Sequence, residues 1–259
     1  MMQIDRKKFV YLKDLLFEFT KKEIKVRYKN SFLGYLWSIL NPLSLAVVFS
    51  LAFKMVMRVE IENYAIFLIV GLFPWQLFSN SVNASATAFI SNASLIKKTA
   101  FNREIIVYSM ILNDLLHFFM SIPVIIVFLL IYGKMPSIWW LIGLPLLMVS
   151  QFLLVSGISL AIASANLFFR DLERLVSIGT NLLFYLTPII YSQNMIPREY
   201  QYYMMLNPVA PIIIAYRNLF FYGVLDLKHI LFSMMFSTVI FLLGYALFNK
   251  LKWKLAEVL

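Results

Sequence analysis

Asp114 and His117 stand three residues apart in a long apolar run, which puts a carboxylate and an imidazole on one helix face. Inside a membrane such a pair serves a proton relay when further ionisable groups continue the chain. The neighbouring apolar runs supply none, which argues against a proton-coupled antiporter. Uninterrupted apolar sequence begins only at Leu115. Asp114 is therefore expected near a membrane boundary, in a structural hydrogen-bonding role. The other histidine, His229, is remote in sequence, and there is no cysteine. Disulfides, thiolate metal sites and cysteine nucleophiles are thereby removed, and a histidine metal site or catalytic triad is poorly supported. The Gly133-Lys134 pair is followed by Met135, so the G-x-x-x-x-G-K-[ST] phosphate loop is missing and the chain cannot hydrolyse ATP through that motif. No catalytic residue, metal ligand or bound cofactor is assigned.

Cations and aromatic rings remain. Lys25, Arg27 and Lys29 cluster just ahead of the first apolar run, where basic side chains face anionic head groups. The positive balance points to lipid phosphates before nucleic acid. The 24 Phe, 14 Tyr and 5 Trp are mostly accounted for by lipid-facing surface and interfacial belts. Trp139 and Trp140 fit such a belt. A minority suits a path for sugars, whose apolar faces slide on aromatic rings. Tyr35, Trp37, Phe184 and Tyr185 are channel-lining candidates by position and type.

Composition dictates the elements that hold these residues. Of 259 residues, 61% are hydrophobic and 14% charged, against about 45–50% and about 25% in soluble domains. Mean hydropathy is +0.80. A water-facing surface cannot be built from so few polar residues, disorder is excluded, and lipid is the expected solvent. Six stretches reach the roughly 20 apolar residues that cross a ~30 Å hydrocarbon core. They run approximately over Phe32–Met57, Tyr64–Asn83, Glu104–Tyr132, Ile138–Phe169, Leu175–Tyr191 and Ile230–Phe248. The expected fold is an all-α integral membrane protein of six spans. The apolar segment 208–222 is short and carries Arg217, and reads as a partly inserted or surface helix pair. Prolines at 42, 74, 123, 145 and 188 mark kinks in or near spans.

The net charge of +10 is unevenly shared. Residues 1–31, the connections after spans two and four, and the C-terminal tail hold seventeen Lys and Arg; the opposite side holds six. The positive-inside rule places both termini in the cytoplasm, as an even number of spans requires. No cleavable signal sequence is expected. Residues 1–31 read instead as an amphipathic interfacial helix. Phe9, Leu12, Leu15, Leu16 and Phe19 share one face, available to lipid or to a cytoplasmic partner, and lysines occupy the rest.

Five blocks carry a family resemblance: RYKNSFLGYLWSILNPL at 27–43; GLFPW at 71–75; LIKK at 95–98 with FNREII at 101–106; FRDL at 169–172 with FYLTPIIY at 184–191; and NPVAP at 207–211 with AYR at 215–217. In order and spacing they resemble membrane subunits of type-2 ABC exporters for lipid-linked polysaccharides, the O-antigen, capsule and teichoic-acid systems. The family commonly has proline where Asn102 stands, and asparagine can still cap the helix that follows.

The resemblance implies a homodimeric permease, not itself an enzyme, in the bacterial inner membrane. Two copies of a separate ABC ATPase would carry ATP and Mg. It implies a coupling helix within 92–103, where Leu95, Ile96 and Phe101 fill an ATPase groove and Lys97, Lys98 and Arg103 meet its acidic rim. It implies outer gate helices within 197–223, involving Pro208, Pro211, Tyr216 and Arg217. Lys25, Arg27 and Lys29 would attract the diphosphate of the cargo. A drug or small-lipid exporter of the same family, or a membrane enzyme acting on polyprenyl-linked sugars, are the competing readings. The second should show acidic motifs at a loop–membrane boundary, and none is convincing.

Overall fold

The computed structural model describes residues 2–29, 31–56, 58 and 61–258, with the side chains of 2–6, 8, 35, 54–56, 256 and 257 outside the description. Met57, the expected end of the first span, and the side chain of the channel candidate Tyr35 therefore lie outside the described residues. Among the described residues every regular element is helical: α1 (Met2–Arg27), α2 (Trp37–Ser50), α3 (Tyr64–Ser85), α4 (Ala88–Ser91), α5 (Ala93–Lys98), α6 (Glu104–Ile131), α7 (Trp140–Asn166), α8 (Leu172–Leu186), α9 (Arg198–Met205), α10 (Ala210–Phe220), α11 (Leu227–Leu251) and α12 (Leu255–Val258). A 3-10 turn at Gly34–Leu36 leads into α2, which continues as a π-helical turn over Leu51–Val56.

Among the described residues, α3, α6, α7 and α11 are long and apolar enough to cross a membrane. The first and fifth expected spans are shorter as helices. The former opens at Trp37 rather than Phe32. The latter, α8, has 15 residues, about 22 Å at ~1.5 Å per residue, less than a hydrocarbon core. It stops where the sequence stops it. Pro188 has no N–H to continue the ladder and pushes Thr187 out of the helical region, to φ −99° and ψ 136°.

α3 is the axis of the core. It packs against α2, α6, α7, α8 and α10, and its residues from Ile66 to Trp75 are all buried. Gln151 of α7 donates to the Pro74 carbonyl at 2.7 Å, joining the two helices at the proline. α7 and α11 cross at glycine. Small residues recur every seven positions along α7 (Gly143, Ser150, Gly157, Ser164), the period that keeps one seam against a neighbour. Ser150 Oγ lies 3.2 Å from Ser233 Oγ and 3.1 Å from Ser237 Oγ of α11. One stretch further on, Gly157 faces Gly244 with room for no side chain on either.

One expectation is narrowed and one corrected here. Of the two alternatives for segment 208–222, the surface one falls away for α10, ten of whose eleven residues are buried against α3, α7 and α11. Asn102 does not cap α6: the N-cap position is Arg103, with no side-chain cap.

Candidate functional site

Where α1 ends and α2 begins, a cavity of about 460 Å³ opens against α3 and α6. One wall is an ion pair. Arg27, in the last turn of α1, donates through Nη1 to Asp114 Oδ1 of α6. Ser81 Oγ of α3 donates to the other carboxylate oxygen at 2.6 Å. Asp114 is 2% exposed, whereas the Arg27 side chain keeps 31% of its surface open. Burial alone would ease the proton off Arg27, but the Asp114 carboxylate outweighs it and raises the guanidinium above its ordinary pKa. Beside the pair, Tyr28 OH lies 3.0 Å from His117 Nε2, with the rings edge-on. The structural role expected of Asp114 thus takes a definite form: it closes a three-helix junction. Arg27, expected with Lys25 and Lys29 to attract the cargo diphosphate, already has a carboxylate partner, while Lys25 and Lys29 are exposed.

The opposite wall was not read from the sequence. Gln76, Asn80 and Asn83 follow one another at i, i+4 and i+7 and form a polar stripe along α3, faced by Asn41 and Trp37 from the α2 side. Asn83 Nδ2 donates to the Ser79 carbonyl at 2.7 Å and to Thr180 Oγ1 of α8 at 3.1 Å. Among the aromatic candidates, Trp37 is half-exposed and lines this cavity. Phe184 stacks on Phe49 at 5.7 Å and meets Trp75 edge-on at 5.5 Å, so it fills an α2–α3–α8 aromatic cluster instead of open space. Tyr185 is exposed, with its ring edge-on to Phe184.

The 92–103 connection folds as α5 and a following turn held against α1. Lys22 Nζ donates to Asn92 Oδ1 at 2.6 Å, and the Phe19 and Phe101 rings lie 5.4 Å apart. Lys97 and Lys98 are exposed and Leu95 is half-buried. Leu95, Asn92, Phe19 and Lys22 line a groove of about 420 Å³ between α5 and α1. Ile96, expected to project toward a partner, is 4% exposed and belongs to the chain's own core. Arg103 Nη1 donates to the Lys252 carbonyl, tying this segment to the end of α11. On α1, Leu12, Leu16 and Phe19 are half-buried and Phe9 is exposed.

Beyond the end of α8, the carbonyls of Pro188, Ile189 and Ile190 lie outside any helix and receive buried side-chain donors. Arg217 of α10 donates through Nη1 to Pro188 O at 2.7 Å and through Nη2 to Ile189 O at 2.9 Å. Its guanidinium lies 3.7 Å from the centre of the Phe67 ring. Tyr64 OH donates to Ile190 O at 2.6 Å, and Asn207 Nδ2 to Thr187 Oγ1 at 2.8 Å. Tyr216 and Pro211 are also buried, and Pro208 is half-buried. The four residues expected to belong to an outer gate are thus packed into or against the core.

A chain whose described residues form only helices, four of them long and apolar, with a polar cavity at one junction and a broken helix clamped at the other, has the architecture of a multi-pass membrane protein. Residues 14–221 match the ABC-2 type transporter family, and the chain belongs to it. It is 49% identical to the O-antigen export system permease protein RfbA of Klebsiella pneumoniae, over 96% of both chains. It is 33% identical to the O-antigen export system permease protein RfbA of Myxococcus xanthus, over 85% of each chain. It is 26% identical to the polysialic acid transport protein KpsM of Escherichia coli, over 88% of this chain and 90% of that one.

Proposed function

We propose that this chain is the membrane-spanning permease of an ATP-driven exporter that moves polyprenyl-diphosphate-linked polysaccharide, O-antigen above all, from the cytoplasm to the periplasm. The observation that carries the reading is the 49% identity, over 96% of the chain, to an O-antigen export permease. Two copies pair around the pathway in the inner membrane, and two copies of a cytoplasmic ATPase supply ATP and Mg. The two shorter apolar helices, α2 and α8, complete six crossings with both termini in the cytoplasm, as the seventeen-to-six division of basic residues supports. α9 and α10 form the outer gate. Deleting the chain is expected to leave lipid-linked glycan accumulating on the cytoplasmic side; unchanged surface polysaccharide would refute the reading. A capsule polymer is the second cargo reading, on the likeness to KpsM.

In this scheme α5 and the turn after it couple the ATPase to the spans. Lys97, Lys98 and the α1–α5 groove at Leu95 form the docking face, while Ile96, Phe101 and Arg103 hold the segment on the permease. Leu95→Asp is expected to abolish ATPase co-purification and export together, and if both persist the docking assignment fails.

Arg27 is the proposed contact for the cargo diphosphate, assisted by Lys25 and Lys29. Charge reversal there would set two carboxylates against each other, so Arg27→Gln is the cleaner change. Removing one partner of a fully buried pair costs about 3–5 kcal/mol, and the open side of Arg27 lowers this to roughly 2 kcal/mol. Export per assembled complex is expected to fall several-fold with ATPase association intact. Export at the parental rate would remove Arg27 from the cargo path.

A further inference from the structure

We propose that the amide wall of the α1–α2–α3–α6 cavity, formed by Asn41, Gln76 and Asn80, is a saccharide subsite that hands sugar hydroxyls along the transport path. The proposal rests on the exporter reading and specifies what that cavity holds.

None of these three amides makes a hydrogen bond to another described residue, although two sit within the long apolar helix α3. An amide in a membrane span without a protein partner must face water or a ligand. All three converge on the 460 Å³ cavity and on an adjoining groove of about 130 Å³ between α2 and α3. At ~30 Å³ of liquid per molecule, the larger space equals about 15 waters, ample for a sugar unit that displaces them.

The chemistry of the wall selects the ligand class. Each amide offers an acceptor and two donors, which matches a sugar hydroxyl that both donates and accepts. None of the three carries charge, so the contact does not depend on which sugar is acidic. Gln76 and Asn80 are one turn apart, ~6 Å along α3, about the length of one sugar ring. Trp37, half-exposed on the same cavity, offers a flat ring to a sugar's apolar face. An inorganic anion is disfavoured at this wall, because its three amides carry no positive charge and Arg27 stands on the opposite wall of the cavity. A hydrophobic drug is disfavoured as well, because it would strand three amides without partners.

The test uses the intact exporter in cells that make the glycan. A benzoylphenylalanine photo-crosslinker is placed at residue 76 or 80, with residue 231 on the exposed face of α11 as control. Glycan-bearing adducts are expected from 76 and 80 and not from 231, and are lost when glycan synthesis is blocked. In parallel, Gln76→Leu and Asn80→Leu are expected to reduce export about tenfold at unchanged permease abundance and ATPase co-purification, with Asn80→Gln restoring most of it. If deletion of the chain stops export yet both positions give no glycan adduct and both leucine variants export normally, the subsite is refuted while the exporter reading stands. If deletion itself leaves export unchanged, both fall.

Discussion

Gly244→Ala is expected to abolish the folded protein or leave a small fraction of parental yield in the membrane. A Cβ at Gly244 would lie 2.0 Å from the Gly157 carbonyl oxygen and 2.5 Å from its carbon. Both are backbone atoms, so no rotamer change relieves the contact, and α7 and α11 must separate. Their separation would undo the Ser150–Ser233–Ser237 cluster at the same crossing. Overpacking by methyl groups costs about 1–3 kcal/mol where side chains can yield; a backbone collision lies at or above the top of that range. Gly157→Ala should do the same, since its Cβ would fall 2.6 Å from Ile240 O. Gly179 is the internal control. It sits in α8 with nothing within 4 Å of an added Cβ, so Gly179→Ala should be neutral or stabilise by about 0.5–1 kcal/mol through helix propensity. Thermal scanning of detergent-solubilised protein reads all three. A Gly244→Ala protein as stable as the parent would show that the two helices do not meet at this glycine pair.

Arg217→Leu is the second change of large expected effect. It removes both donors to Pro188 O and Ile189 O and the cation over Phe67. Each buried carbonyl left without a donor costs about 1–3 kcal/mol, against which stands the relief of burying a charge. Arg217→Lys is expected to recover little, because one ammonium cannot reproduce a fork that reaches two successive carbonyls. Gly71→Ala should act in the same direction, as its Cβ would come within 3.1 Å of Arg217 Nη2. The absence of native cysteine supplies the measurement. Ile190, 6% exposed, replaced by cysteine should resist a membrane-impermeant thiol reagent in the parent and label readily beside Arg217→Leu. Equal protection in the two backgrounds would mean that Arg217 does not hold the α8 break.

The long apolar runs were legible because lipid imposes its length on each of them; Pro188 was read as a kink inside a span reaching Tyr191, whereas it ends α8 at Leu186. What the sequence hid were the donors that make such an ending tolerable. Arg217 is almost thirty residues from the carbonyls it serves, and by type it read as a charge that keeps its helix at the surface. Arg27 and Asp114, 87 residues apart, were read separately, one as a cation for phosphate and the other as a boundary carboxylate. Their pairing cancels part of the charge on which the first reading relied. The Gln76–Asn80–Asn83 stripe was present at helical spacing, yet three amides vanish in the average of a strongly apolar segment. Ile96 shows the reverse error: on a short amphipathic turn, sequence alone does not say which apolar residue faces outward and which faces home.

α1 lies along α6, and two of its contacts have different surroundings. In its last third, Phe19 and Lys22 hold the α5 region; at its end, Arg27 holds Asp114. Phe19 and Arg27 are eight residues apart, or ~12 Å of unbroken helix. A force applied at α5 therefore reaches the cavity wall through a short stiff lever lying alongside the bundle, without first deforming the packed interior of α3. How far such a displacement would carry is set by the bending stiffness of two helical turns and by the contacts at the tip, the Arg27–Asp114 pair and Tyr28 beside His117.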